Sequence, residues 1–372
     1  MLSEQDVMLL LHDRSSPQAR AEVATKVAAT FARESLSLSE IQLAQDIIRA
    51  MVKDVAVEVR QALSENLKSS PELPREVAMK LAQDVEVVAL PVLEYSKVLT
   101  TEDLVQVINS VAGHSASAKH SAIARREEVP MEVADALVDK AGEEAIATLV
   151  ANKGADLTPQ SLQKVVTKFP ESPKVHTGLV HRDKLPITIA EQLVTLVADS
   201  LRDHLVASHE MRPEMATDVV MQTRERAIVT LVARGAEGHD VEKLVTQMFH
   251  KQRLTPNLIL RALCLGDVTF FEAAMAVMTG IPLVNARLLI HDAGRLGLKS
   301  IYEKSGMPLR YLPVVRVAMD IVKETEMDGG DYDRERFRNK VIERILTQLE
   351  DLGEEDLDYL LSKIVDTPRQ VA

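Results

Sequence analysis

The chain of 372 residues contains no tryptophan, a single cysteine and only 3% aromatic residues. One cysteine, Cys264, excludes an internal disulfide framework and any cysteine-rich zinc site, and it agrees with a reducing compartment. Scarce aromatics argue against stacking platforms for bases or sugars. Long apolar runs are also missing: none approaches the roughly 18 to 20 residues that a membrane helix requires. The opening MLSEQDVMLLLHDR is acidic before a brief apolar run, unlike a secretory signal, so a cytoplasmic location without membrane insertion is expected. Positive charge is in deficit, with a formal net charge of −12, which makes phosphate wrapping over a whole surface, and so nucleic acid as a partner, an unfavourable reading. No Gly-rich phosphate loop, GxSxG elbow or HExxH occurs.

What the chain does contain is a repeat. Segments starting at Val59, Val88, Lys119, Ile146, Val175, Leu201 and Ala227 carry an apolar residue at their fifth position: Leu63, Val92, Ile123, Val150, Leu179, Leu205 and Leu231. The first residue is apolar in all but Lys119, and the sixth in all but Ser64. Spacing of i, i+4, i+5 is one helical stripe. Each segment is followed by a second helical opening at Pro74, Thr101, Pro130, Pro159, Pro186 or Pro213, with acidic or amide residues behind it, as suits the positive end of a helix dipole.

Two-helix units of about 28 residues cannot bury their apolar faces alone. The predicted fold is therefore all-α, an α-solenoid of HEAT or armadillo type with a C-terminal helical tail. Residues 1–53 read as capping helices, including Ser3 to Leu11, plus a loose first pair at 17–33 and 39–53, with Ser39 and Glu40 marking the second start. Residues 54–307 read as the solenoid, regular to 250, and Asp54 with Arg60 is placed as in HEAT repeats. The opening LTPNLILRAL at 254–263 repeats LTPQSLQKVV at 157–166. Residues 308–372 read as an acidic helical segment, since acidic residues outnumber basic ones between Glu324 and Asp358.

The stretches VRQALSENLKSSPELPREVAMKLAQDVEVVALPVLEYS and LTPNLILRALCLGDVTFFEAAMAVMTGIP resemble the bacterial domain-of-unknown-function family 2336. That resemblance, over roughly residues 20 to 310, implies an all-helical, HEAT-like protein with no assigned catalytic residues, so no active site carries over.

Candidate sites follow from chemistry alone. At the eighth position of the segments stand Asn66, Tyr95, Arg126, Lys153, Arg182, Ser208 and Arg234, with Arg125 and His181 directly before two of them. Stacked, Arg125, Arg126, Lys153, His181, Arg182 and Arg234 would form a cationic stripe able to dock an acidic peptide or protein. The alternative is that these cations sit at helix C-termini and oppose the dipole there. His176 with His181, and His204 with His209, are spaced five apart, not the i, i+3 or i, i+4 that two metal ligands on one helix need, so no metal or cofactor is expected. Cys264 has no base nearby in sequence and reads as a packing residue. Helix 268–279 is apolar on nearly every side: Phe270, Phe271, Met275 and Met278 either pack in the core or form a self-association patch that would make a homo-oligomer. The function expected is a non-catalytic protein–protein interaction scaffold or adaptor, of the kind that serves bacterial signalling or regulation. A nucleic-acid-processing enzyme or hydrolase on a HEAT-like scaffold, and a structural self-assembling protein, are the alternatives.

Overall fold

A computed structural model describes residues 16–31, 37–111, 113–182, 184–209, 212–233, 238–292, 296–324 and 333–348. The helix expected at Ser3 to Leu11, residue Arg234 and the tail segment EEDLDYLLSKIV lie outside the described residues. Described secondary structure is helical, without strands; one isolated parallel bridge joins Val129 and Ala155. The chain divides into two compact units, one ending at Leu185 and one beginning at Pro186.

The first unit holds α1 (Pro17–Phe31), α2 (Leu38–Met51), α3 (Val57–Leu67), α4 (Arg75–Ala82), α5 (Glu86–Tyr95), α6 (Thr101–Ser110), α7 (His114–Ala124), α8 (Met131–Lys140), α9 (Glu143–Ala151), α10 (Pro159–Lys168) and α11 (Pro173–Val180). Odd-numbered helices pack each on the next, from α1 to α11, while α6, α8 and α10 pack in a second layer. This is an α-solenoid-like stack of two-helix repeats. The apolar stripe explains it: Leu63, Val92, Ile123, Val150 and Leu179 are all fully buried, and each such side chain contributes about 1.5–3 kcal/mol by leaving water. Second helices bury matching pairs at i, i+3 and i+4, such as Leu104 with Val107 and Ile108, and Leu162 with Val165 and Val166.

Local signals set the ends. Ser37, not Ser39, caps α2, in a reciprocal box with Glu40; Thr100 and Asp103 form the same box on α6. Pro159 and Pro173 open α10 and α11 behind the capping hydroxyls of Thr158 and Ser172. Pro74 and Pro130 sit one residue earlier, at the cap position itself. Between repeats, Arg20 binds Asp54 at 2.8 Å and Arg60 binds Asp84 at 2.5 Å, so the Asp54 and Arg60 placement serves to tie one repeat to the next.

The second unit breaks the period. Leu201 and Ala227, expected to start new repeats, lie inside two long helices, α12 (Ile187–His209) and α13 (Pro213–Ala233), which pack together as a hairpin. No glycine or internal proline interrupts either helix, so nothing stops it where the earlier repeats turn. Leu205 and Leu231 are accordingly only partly buried. Six further helices follow, α14 (Gly238–His250), α15 (Pro256–Cys264), α16 (Val268–Thr279), α17 (Leu283–Ile290), α18 (Leu296–Ser305) and α19 (Leu312–Glu324), then α20 (Asp333–Gln348), with a 3-10 turn at Leu309–Tyr311 before α19. Thr255 caps α15 as Thr158 caps α10, each accepting a backbone N–H at 3.1 Å, which accounts for the likeness of the two sequences.

Helix α16 is the centre of this unit, packed by α14, α15, α17 and α18. Phe270, Phe271 and Met275 are fully buried and Met278 is partly buried against the same core. The self-association patch placed there is thus core, because every side of α16 meets another helix. The expected boundary at 308 also disappears: α19 and α20 pack on α15, and Phe337, Val341 and Ile345 of α20 are fully buried. Gly280, at φ 69°, turns the chain by the left-handed conformation that side-chain-bearing residues avoid, and α17 leaves α16 at 114°. Among the described residues no single helix is long and apolar enough to cross a membrane.

Candidate functional site

The cations of the eighth position are placed by the stack, and two of them turn inward. Arg126, just past the end of α7, donates to the carbonyls of Leu93 and Ser96 at 2.6 and 2.7 Å, at the C-terminus of α5. Arg182, just past α11, donates to Val150, Asn152 and Ala155 at 3.2, 3.1 and 2.8 Å, at the C-terminus of α9. The corresponding group at the end of α9 is not Lys153 but Asn152, whose side-chain amide donates to Ala124 and Arg126 carbonyls at 2.8 and 2.7 Å. Lys153 is exposed.

The second layer uses the same device. Lys119 donates to the Asp84 carbonyl at 2.6 Å beyond α4, the His120 ring meets the Ile108 carbonyl at 3.2 Å near the end of α6, and Lys168 donates to Val138, Asp139 and Ala141 at 3.0–3.2 Å beyond α8. Every helix C-terminus from α4 to α9 therefore receives a side-chain donor from a later element. The last carbonyls of a helix have no partner within it, and a donor there, above all a cationic one, satisfies them and opposes the dipole. Burial lowers the proton affinity of Lys119, His120, Arg126, Lys168 and His176 below their ordinary values. The exception in the row of apolar first positions, Lys119, is thus a capping residue. Sequence reasoning missed Lys119, His120, Asn152 and Lys168 in this role; their spacing from the carbonyls, 12 to 37 residues, is long-range and varies with loop length.

Two members of the expected docking stripe are thus caps. Arg126 and Arg182 spend their donors on backbone carbonyls, so they are held within the stack and not offered to an acidic partner. His181 is exposed, with Nδ1 2.8 Å from the Thr177 carbonyl; Arg234 lies outside the described residues. Arg125 is on the surface, where its Nε donates to Glu94 at 3.0 Å.

Arg125 and Arg126 share a cleft of about 720 Å³ between two successive repeats. Leu99, Leu104 and Pro130 supply its apolar lining, and Tyr95, Lys97 and Glu127 its polar rim. Lys68 stands 4.6 Å from the Tyr95 ring centre, a cation–π contact. The neighbouring Glu94 carboxylate raises the Tyr95 hydroxyl above the ordinary phenol value. Tyr95, Glu94 and Arg125 are therefore one linked group on the cleft wall, with Lys97 and Glu127 a looser exposed pair at 3.6 Å.

The remaining sequence candidates have structural surroundings. Cys264 is fully buried in α15 and burial pushes its thiol up to about 12, which suppresses thiolate chemistry. Among the described residues no group of three or more His, Cys, Asp or Glu side chains is arranged to hold a metal ion; the His209 side chain and Glu210 lie outside them.

The family model described as an uncharacterised protein conserved in bacteria (DUF2336) matches residues 88–354. The chain belongs to the DUF2336 family. The match runs from α5 of the first unit through α20 of the second, so both units are part of what defines DUF2336. Neither a curated protein nor a solved structure matches the chain.

Proposed function

We propose that this DUF2336 protein is a non-catalytic protein–protein interaction scaffold, with the cleft beside Tyr95 and Arg125 as the place where an extended segment of a partner docks. The observation that carries this reading is the cleft's composition: a half-exposed tyrosine and a surface arginine over an apolar floor of Leu99, Leu104 and Pro130. Tyr and Arg are the residue types enriched where binding energy concentrates, and a wall made of packed repeats is rigid enough to present them without large ordering costs. A partner carboxylate would take Glu94's place on Arg125, and an apolar side chain beside it would cover Pro130. The single buried cysteine suits the reducing cytoplasm as the setting.

Affinity purification of the full chain from its native cell, comparing wild type with the double variant Tyr95→Ala and Arg125→Glu, tests this. Loss of a partner that the wild type retains, with helical content unchanged, is the expected outcome, since losing one hot-spot tyrosine costs about 2 kcal/mol or more. Recovery of the same partners by both proteins would refute the cleft as the docking site.

A further inference from the structure

We propose that the α12/α13 hairpin is a self-association arm, which pairs with the same hairpin of a second copy of this chain in a two-fold, four-helix contact. The base of the hairpin is anchored. Ile189, Leu193, Ile228, Val229 and Val232 are buried, and α12 packs on α14 while α13 packs on α15. Two buried carboxylates hold the loop between α14 and α15 against it: Glu191 lies 3.5 Å from Arg253, and Glu225 accepts from the Thr255 hydroxyl at 2.8 Å.

Beyond that clamp the packing thins. Toward the tip, the hairpin buries small or β-branched residues, Ala198, Ala216 and Val220, while Val197, Leu201, Met215 and Val219 remain between 46% and 55% exposed. The first two lie four apart on α12 and the last two four apart on α13, so each helix carries a second apolar stripe besides the one facing its neighbour. Two helices can cover only one stripe each. Four can cover both, which is the arrangement of a helical bundle, and a two-fold contact closes at the dimer.

Charge indicates that the covering partner is a copy. The chain as a whole carries −12, so two copies repel through most of their surface. Along the hairpin the signs are instead mixed: Arg202 bridges Asp199 and Asp203 at 3.7 and 2.9 Å on α12, and α13 carries Glu214 and Asp218 in its first half and Arg224 and Arg226 in its second. A strongly basic or acidic partner gains little from such a mixture. A second copy presents the same mixture in reverse order, which is self-complementary across a two-fold axis.

Sedimentation velocity on the full chain, from about 1 to about 100 µM, covers the range in which interfaces of ordinary size associate. The expected result is a species of twice the chain mass, and association weakened about a hundredfold or more by Leu201→Glu or Val219→Glu, because each buries an unpaired carboxylate in the contact. The double variant Val284→Glu and Leu288→Glu, on the exposed apolar face of α17, and Arg125→Glu in the cleft should both leave the dimer intact. A wild type that stays monomeric throughout overturns the proposal, as does a dimer that survives both hairpin variants or dissolves only with the α17 variant. In case a glutamate perturbs folding, Ser200→Cys in an otherwise wild-type chain supplies an independent reading, because Cys264 is buried and silent. A bis-maleimide should link Ser200→Cys into dimers at protein concentrations where Ser300→Cys, on α18, stays single; equal linking of the two refutes the arm.

Discussion

Replacing Arg126 by Met separates a capping cation from a docking cation. The guanidinium makes two short hydrogen bonds to carbonyls at the end of α5, at 2.6 and 2.7 Å. Hydrogen bonds to a charged donor contribute about 1.5–3 kcal/mol, and a cation at a helix C-terminus adds about 0.3–1 kcal/mol. Opposing these is the cost of taking the charge out of water, visible in the lowered proton affinity of the group. Met keeps most of the aliphatic stem, so little packing is lost with the charge. The balance is a loss of about 2–3 kcal/mol, concentrated where α5 ends and α7 begins. Amide hydrogen exchange read by mass spectrometry resolves this locally, and amides of the last turn of α5 should exchange about 30- to 150-fold faster if they open sub-globally. Arg126→Lys should fall between the two, because it keeps the charge but loses the planar fork whose two nitrogens each take one carbonyl. A change below about 0.5 kcal/mol, the size expected of an ordinary surface charge, would refute the cap ladder as a source of stability.

Gly178→Ala should destabilise the first unit by about 1–3 kcal/mol, because the added carbon would lie 2.6 Å from Val150 Cγ2 and 3.2 Å from the Ala151 nitrogen where α11 meets α9; an unchanged urea midpoint would contradict that contact. Stability should also depend on pH through His120 and His176, whose folded pKa values burial holds below the ordinary value near 6.5. The unfolded chain then binds more protons, so this contribution is complete above about pH 6.5 and is lost as pH falls from there through the folded values; Asp54 and Asp103, lowered by their arginine bonds, add a second loss further down. A urea midpoint that rises on acidification from about pH 7 to about pH 5.5 would reverse the sign and sink the assignment.

Much of the fold was legible because short-range signals carry it. Thr100 with Asp103, Thr158 with Pro159, and Thr255 with Pro256 act within one turn, so their sequence spelling is their structure. The apolar stripe from Leu63 to Leu179 is equally local in its logic, since a helix must bury a continuous face. The same pattern misled beyond Pro186. Leu205 and Leu231 fit the stripe, yet no breaker separates α12 or α13 into two helices, and periodicity alone does not say where a helix stops. The candidate site was legible only in part. Arg126 and Arg182 stood out as a regular cationic row, but a row of arginines near helix ends spells both a docking stripe and a set of caps.

The sequence by itself determined that the chain is helical, that its first half is built of two-helix repeats, and where most of those helices begin, because dipoles, caps and 3.6-residue periodicity act over a few residues. Tertiary structure alone decided which donors reach which carbonyls, so that Asn152 replaces Lys153 and Lys119 enters a row of apolar residues. It also decided that Phe270, Phe271 and Met275 are core while Val197, Leu201, Met215 and Val219 are surface. Those outcomes depend on the distance between elements 12 to 37 residues apart and on how many neighbours surround a helix, and neither quantity is written in the local spacing of residues.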